Sequence, residues 1–397
     1  MVDSDAGNPA ADAGTTPLGA TEDVVPFELD VPADQVADLH ERLRRARLPE
    51  PEPVGDWSQG IPSAVVAELT RAWLEDHDVT ALQAELNDLG QYRTVVDGLG
   101  IHLMHVQSLR SDAQPLLITH GWPGSIVEFL DVVRPLTDPS DPVEPAFHVV
   151  APSLPGFGFS DKPTTTGWGI DRIADAWAVV MTRLGYPRFL AQGGDWGAMI
   201  TTALGVRHPD RVAMLHTTMP MAGRPEGARD EDLSAVEREW LRQAREFREV
   251  GSGYSGQQRT RPQTLGYALV DSPVGQLAWI AEKFGVWTFG GATLEPSVPT
   301  RRLLDNVAVY WFGASGASSA RMYWENAQVD RSSPVTVPSA VSLFPAEMAK
   351  LPRSWVEARY TDLRRWSVLD RGGHFASLEE PELFVTELRE SFRGVVC

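Results

Sequence analysis

Asp195 lies in Phe189-Leu190-Ala191-Gln192-Gly193-Gly194-Asp195-Trp196-Gly197-Ala198-Met199-Ile200, where an apolar run meets a glycine-rich turn and then a helix-like run. Glycines two residues before and two after a central residue mark a nucleophile elbow, a sharp strand-to-helix turn that presents one side chain. Small flanking residues are needed because the turn is strained and the new helix starts close to neighbouring strands. The presented residue is usually serine, which needs a base before it can attack. An aspartate is already ionised at pH 7 and attacks directly, leaving an ester on the enzyme. Such a carboxylate suits displacement at an sp³ carbon bearing a leaving group, as in an epoxide or an alkyl halide. The plainer alternative is a turn whose aspartate only caps a helix.

An ester must then be cleaved by water, which calls for a histidine and an acid in the chain order nucleophile, acid, histidine. Arg371-Gly372-Gly373-His374-Phe375-Ala376 supplies His374 on a glycine-flexed loop between a strand and the last helix. Phe344-Pro345-Ala346-Glu347-Met348 places Glu347 in the loop after a strand, where an acid can hold the imidazole in one tautomer and stabilise its imidazolium. Asp362 and Asp370 compete for that role from outside the loop. Attack of water at the ester carbonyl builds an oxyanion, which needs preorganised N–H donors. One is the backbone of Trp196, next to the nucleophile; the other is Trp122 in His120-Gly121-Trp122-Pro123-Gly124, where Pro123 has no N–H to give. His102 and His105 read as strand histidines, because no third metal ligand accompanies them.

These residues need a scaffold of alternating strands and helices. Two alternating runs around Asp97-Gly98, from Tyr92 to Val106, predict a hairpin. Buried strands are predicted at Pro115–Thr119, Phe147–Ala151, Phe189–Gln192, Arg211–His216, Ser339–Phe344 and Ser367–Leu369. Helical sequence follows as far as Leu136, then at Ile170–Leu184, after the elbow, and at Pro381–Phe392. That order implies right-handed βαβ units and an α/β fold with a mainly parallel sheet and helices on both faces. Residues 92–220 and 335–397 form its two parts. Between them, residues 221–334 are largely helical and rich in aromatics, a cap over the strand ends. Trp279, Trp287, Phe289 and Trp311 of the cap are the candidate substrate-binding residues. Residues 24–91 predict a short strand followed by amphipathic helices at Pro32–Arg47, Ser63–Glu75 and Val79–Leu89, a lid or brace without chemistry of its own. Residues 1–23 are predicted to be a disordered tail.

At 397 residues, with 43% hydrophobic and 22% charged residues, the chain can bury a large core. A net charge of -19 argues against nucleic acid and against an anionic membrane surface as partners. Cys397 is the only cysteine, which rules out an intrachain disulfide and fits a reducing cytoplasm. Neither a spanning apolar run nor the blocks of a signal peptide are present.

Taken together, His120-Gly121-Trp122-Pro123-Gly124-Ser125, Gly193-Gly194-Asp195-Trp196-Gly197 and Arg371-Gly372-Gly373-His374-Phe375 resemble epoxide hydrolases of the microsomal type, on the α/β-hydrolase fold. The resemblance runs from Val24 to Arg393 and includes the N-terminal helical segment of that branch. It implies Asp195 as nucleophile, His374 as base, Glu347 as acid, and no metal or cofactor. It also implies two cap tyrosines that protonate the epoxide oxygen, which map by local context to Tyr254 and Tyr323. A phenol with a pKa of about 10 is a far better proton source than water for an alkoxide. The expected substrates are a small-molecule epoxide and water, and the aromatic cap points to a bulky, aryl epoxide. Bacterial relatives in enediyne antibiotic pathways make secondary-metabolite biosynthesis an expected setting. Mammalian members begin with a membrane anchor, which is not expected here; a homodimer is an admissible assembly. A haloalkane dehalogenase, which shares the aspartate elbow but cradles a halide with N–H donors, is the alternative activity. A non-catalytic binding protein on the same scaffold is disfavoured by the complete set of catalytic residues.

Overall fold

The computed structural model describes residues 22–292 and 297–397, so most of the expected tail, residues 1–21, lies outside the described residues. Among the described residues, nine strands form one sheet: β1 Val25–Phe27, β2 Gln91–Val96, β3 Leu99–Val106, β4 Gln114–Thr119, β5 Phe147–Pro152, β6 Phe189–Gly193, β7 Val212–Thr217, β8 Ser339–Leu343 and β9 Leu363–Val368. Their order is β1-β2-β3-β5-β4-β6-β7-β8-β9. The first three pairings are antiparallel, and every pairing from β5–β4 through β8–β9 is parallel. This is the α/β-hydrolase arrangement.

The central strands read as apolar runs because helices cover both their faces. Leu116, Leu117 and Ile118 of β4 and Leu190 and Ala191 of β6 have no exposed surface. Asp97 and Gly98 both have positive φ, 50° and 76°, as a tight hairpin between β2 and β3 requires. β9 starts at Leu363, earlier than the expected Ser367, because Leu363-Arg364-Arg365-Trp366 lies half-exposed at the sheet edge and does not read as a buried strand. The first helix spans Ala33–Arg44, shorter than expected at both ends.

All the loops that carry candidate chemistry leave the C-terminal ends of parallel strands. β4 feeds the Trp122 loop, β6 the elbow, β8 the Glu347 loop and β9 the His374 loop. Ligands of open α/β sheets bind outside these ends. Helices at Ala235–Glu246, Gly253–Thr260, Pro262–Asp271, Pro273–Val286, Thr300–Phe312 and Gly316–Glu325 lie between β7 and β8 and supply the cap. The N-terminal segment braces this cap as well as the sheet. Helices Ala33–Arg44 and Ser63–Glu75 touch Pro273–Val286, and Val79–Asp88 touches Thr300–Phe312. Arg302 of the cap bonds Glu85 at 2.7 Å, and His77 bonds Asp305 at 3.0 Å. Among the described residues, no helix is long and apolar enough to cross a membrane.

Candidate active site

The elbow brings Asp195 to the first turn of helix Asp195–Arg207 with φ at 48°, a left-handed conformation that a non-glycine residue adopts only under constraint. The constraint is close packing. A side chain at Gly197 would overlap the Thr119 carbonyl, so the helix can start against β4 only with glycine there. Asp195 keeps 16% of its side chain exposed, enough for a substrate to reach it.

Trp122 donates its backbone N–H to Asp195 Oδ1 at 2.8 Å, and His374 Nε2 stands 3.5 Å from Asp195 Oδ2. On its other side, His374 Nδ1 meets Glu347 Oε2 at 2.9 Å, with both side chains almost fully buried. Ala349 N–H donates to the second Glu347 oxygen at 3.2 Å, which fixes the carboxylate. Burial acts to lower the His374 pKa, but the Glu347 and Asp195 carboxylates outweigh it and raise the value well above 6.5. Neither competing acid reaches the histidine: Asp362 pairs with Arg364 at 3.0 Å, and Asp370 is exposed beside Arg371. Trp196, second residue of its helix, has an amide with no carbonyl one turn back to bond.

The cap closes over this row with aromatic rings. Tyr254 stacks on Trp122 at 5.0 Å, and Tyr323 stands edge-on to Trp196 at 4.8 Å and to Trp122 at 5.7 Å. Burial, then the charge of Asp195, pushes the Tyr254 pKa far above 10; Tyr323 is raised in the same direction by burial, Tyr254 and Asp195. Both phenols therefore stay protonated at ordinary pH. Trp287 completes the wall, 5.1 Å from His374 and 5.2 Å from Tyr254.

The other cap candidates stand further out. Trp279 bonds Gln258 through its indole N–H at 3.1 Å, beside the buried Lys283, whose Nζ lies 4.7 Å from the Tyr254 ring. Phe289 is 43% exposed and contributes its backbone, which donates to Glu379 at 2.7 Å. Trp311 lies beneath Arg42 of the N-terminal brace, not beside the Trp287 and tyrosine rings. His102 is held by Ser153 and Gln91 inside the sheet, as a strand histidine should be.

Several residues matter here that sequence reasoning passed over. Asn306 of the cap donates to the Pro123 carbonyl at 2.8 Å and accepts from Ser125 at 2.7 Å, while Tyr310 donates to the Gly124 carbonyl at 2.9 Å. The cap thus grips the loop that carries the Trp122 donor. Glu379 accepts from Phe289 and Phe375 and lies against Gly373; burial raises its pKa to about 7. His374 itself donates its backbone N–H to Trp287 O at 3.0 Å. Glu128, one turn beyond the Trp122 loop, is an acid inside Ile126-Val127-Glu128-Phe129-Leu130, and that setting was the available signal.

Known proteins resemble this chain over most of its length. Residues 24–129 match the family model described as epoxide hydrolase N terminus, and residues 114–259 match alpha/beta hydrolase fold. "Epoxide hydrolase 1" of Oryctolagus cuniculus is 34% identical over 96% of this chain and 91% of the relative. The chain belongs to the epoxide hydrolase family. A Stigmatella aurantiaca protein named "Putative epoxide hydrolase" is 49% identical over 93% of this chain and 85% of its own length. Among solved structures, the juvenile hormone epoxide hydrolase of the silkworm Bombyx mori superposes with a TM-score of 0.88. It is 30% identical, over 94% of this chain and 95% of that one.

Proposed function

We propose that epoxide opening proceeds through an ester on Asp195. The observation that carries the reading is the continuous row Glu347, His374, Asp195, Trp122 N–H, with two protonated tyrosines standing over it. An Asp195 oxygen attacks an epoxide carbon, the carbon–oxygen bond breaks, and Tyr254 or Tyr323 protonates the leaving oxygen. His374, protonated at rest between two carboxylates, returns that proton to the tyrosine. Esterification removes the charge of Asp195, one of the influences that hold the proton on the imidazole. Neutral His374 then takes a proton from water as the water oxygen attacks the Asp195 carbonyl carbon. The oxyanion falls to the Trp122 and Trp196 amides. Collapse breaks the ester bond, and the departing alkoxide takes the remaining proton of the attacking water, which leaves the diol, Asp195 ionised and His374 protonated.

The walls of Trp122, Trp287, Tyr254 and Tyr323 support a bulky, aryl epoxide, the substrate chemistry an enediyne-type pathway would present. Single turnover of styrene oxide with excess enzyme in ¹⁸O-labelled water tests the ester route. Label on Asp195 with unlabelled diol is the expected result; label in the diol and none on Asp195 means direct hydration and overturns it. His374→Gln should let the ester form and then hold it. One observation favours a second activity: the Trp196 indole N–H is buried one residue from the nucleophile and turned toward the Tyr323 hydroxyl, where a departing halide would meet it. Halide release from 1-bromobutane would support that activity.

A further inference from the structure

Cleavage of the ester needs a water held by two acceptors, one for each of its protons, so that its lone pair points at the carbonyl carbon. His374 Nε2 is one acceptor. The oxygens of Glu347 are already used by His374 and Ala349, and those of Glu379 by the amides of Phe289 and Phe375. One further carboxyl group lies within electrostatic reach of both Asp195 and His374: Glu128.

Its setting is unusual for an acid. Glu128 sits on the turn Ile126–Phe129, which follows directly from the Trp122 loop and is started by the Ser125 cap. The carboxyl lies over Gly124 so closely that a side chain there would overlap it, and the Gly121 amide faces it. Tyr310, from the cap helix Thr300–Phe312, approaches from above but spends its hydroxyl on the Gly124 carbonyl. Among the charged groups that act on Glu128, none is an arginine or a lysine; its charge neighbours are His374 and Asp195. Burial raises its pKa to about 8, while His374 lowers it and Asp195 raises it. Yet it is not sealed. Ile126, Val127 and Phe129 around it are buried, whereas Glu128 keeps accessible surface deep inside the protein, so it borders space that water can enter. An acid buried there without an arginine or lysine partner is costly to keep unless it serves the site.

We infer that Glu128 is a positioning residue for the hydrolytic half of the reaction, the second acceptor that orients the attacking water toward Asp195 and His374. This rests on the ester route proposed above. Its carboxyl accepts a hydrogen bond whether ionised or protonated, and when ionised it adds to Glu347 as a counter-charge for the imidazolium.

The test is rapid-quench single turnover of styrene oxide by wild type, Glu128→Leu and Glu128→Asp, with the ester on Asp195 followed by peptide mass spectrometry. For Glu128→Leu, which has no acceptor, the expected result is ester formation within about threefold of wild type and ester cleavage slowed on the order of 10- to 100-fold, so that ester accumulates. Glu128→Asp should recover part of the cleavage rate. Equal losses in both steps, tracking a lowered melting temperature, would mean a packing role and overturn the inference. Unchanged cleavage by Glu128→Leu, with ester seen in both proteins, overturns it while leaving the ester route intact. No ester in wild type at any time overturns both.

Discussion

Removing the phenolic oxygens separates proton delivery from everything else the cap does. Tyr254→Phe and Tyr323→Phe keep the rings, so the stack on Trp122 at 5.0 Å and the edge contact with Trp196 at 4.8 Å survive. What each loses is one donor to an oxygen that becomes negatively charged as the epoxide opens. Hydrogen bonds to charged groups are worth about 1.5–3 kcal/mol, which is roughly 10- to 150-fold in rate. The low dielectric of a site where both phenols are buried puts the effect toward the upper end. Each single variant should therefore slow ester formation by about one to two orders of magnitude, with ester cleavage little changed. The two hydroxyls also interact with each other, so the effects should not be additive in the double variant. Stopped-flow tryptophan fluorescence is the natural assay, because Trp122, Trp196 and Trp287 surround the reacting atoms. Ester formation at the wild-type rate in both single variants, or a loss confined to ester cleavage, would refute proton delivery by these tyrosines.

Glu347→Gln removes a carboxylate that raises the His374 pKa. On the proposed route ester formation consumes the imidazolium proton, so kcat/KM should fall as pH rises through that pKa, and the variant should move this alkaline limb to lower pH. A limb that stays in place would mean that another group sets it. Asn306→Leu leaves the Pro123 carbonyl and the Ser125 hydroxyl buried without their partner, which should cost about 1–3 kcal/mol of stability. The same change should slow turnover, since the Trp122 amide loses its grip; thermal unfolding and steady-state kinetics check the two effects separately.

The loops of the proposed site were legible because their chemistry would depend on small residues close in sequence. Gly193, Gly194 and Gly197 announce the elbow before any fold is known, and the chain order of Glu347 and His374 follows from the topology of such sheets. The choice among Glu347, Asp362 and Asp370 was harder, because all three lie near strand ends; distance to His374 separates them. Cap aromatics carry no such local mark. Trp287 facing the histidine and Trp311 facing Arg42 look alike on helical periodicity, since a cap buries one face on the site and another on the N-terminal brace. Glu379 is an ordinary acid in sequence, and Glu128 is marked only by its apolar neighbours; tertiary packing alone brings each within reach of His374.

The cap helix Thr300–Phe312 ties these parts into one mechanical unit. Through Arg302 and Asp305 it is bonded to Glu85, Asp131 and His77, and so to both the N-terminal segment and the sheet domain. One turn further on, Asn306 and Tyr310 hold the carbonyls of Pro123 and Gly124. The loop between those attachments presents the Trp122 amide to Asp195 and carries Glu128 on its next turn. An oxyanion donor stabilises charge only if it is already aimed when the charge develops. A loop gripped from one side by its own strand and from the other by a braced helix meets that requirement without help from the substrate. If Trp122 is the oxyanion donor proposed above, the N-terminal segment contributes to catalysis although it reaches no reacting atom: it removes freedom from the helix that removes freedom from the donor.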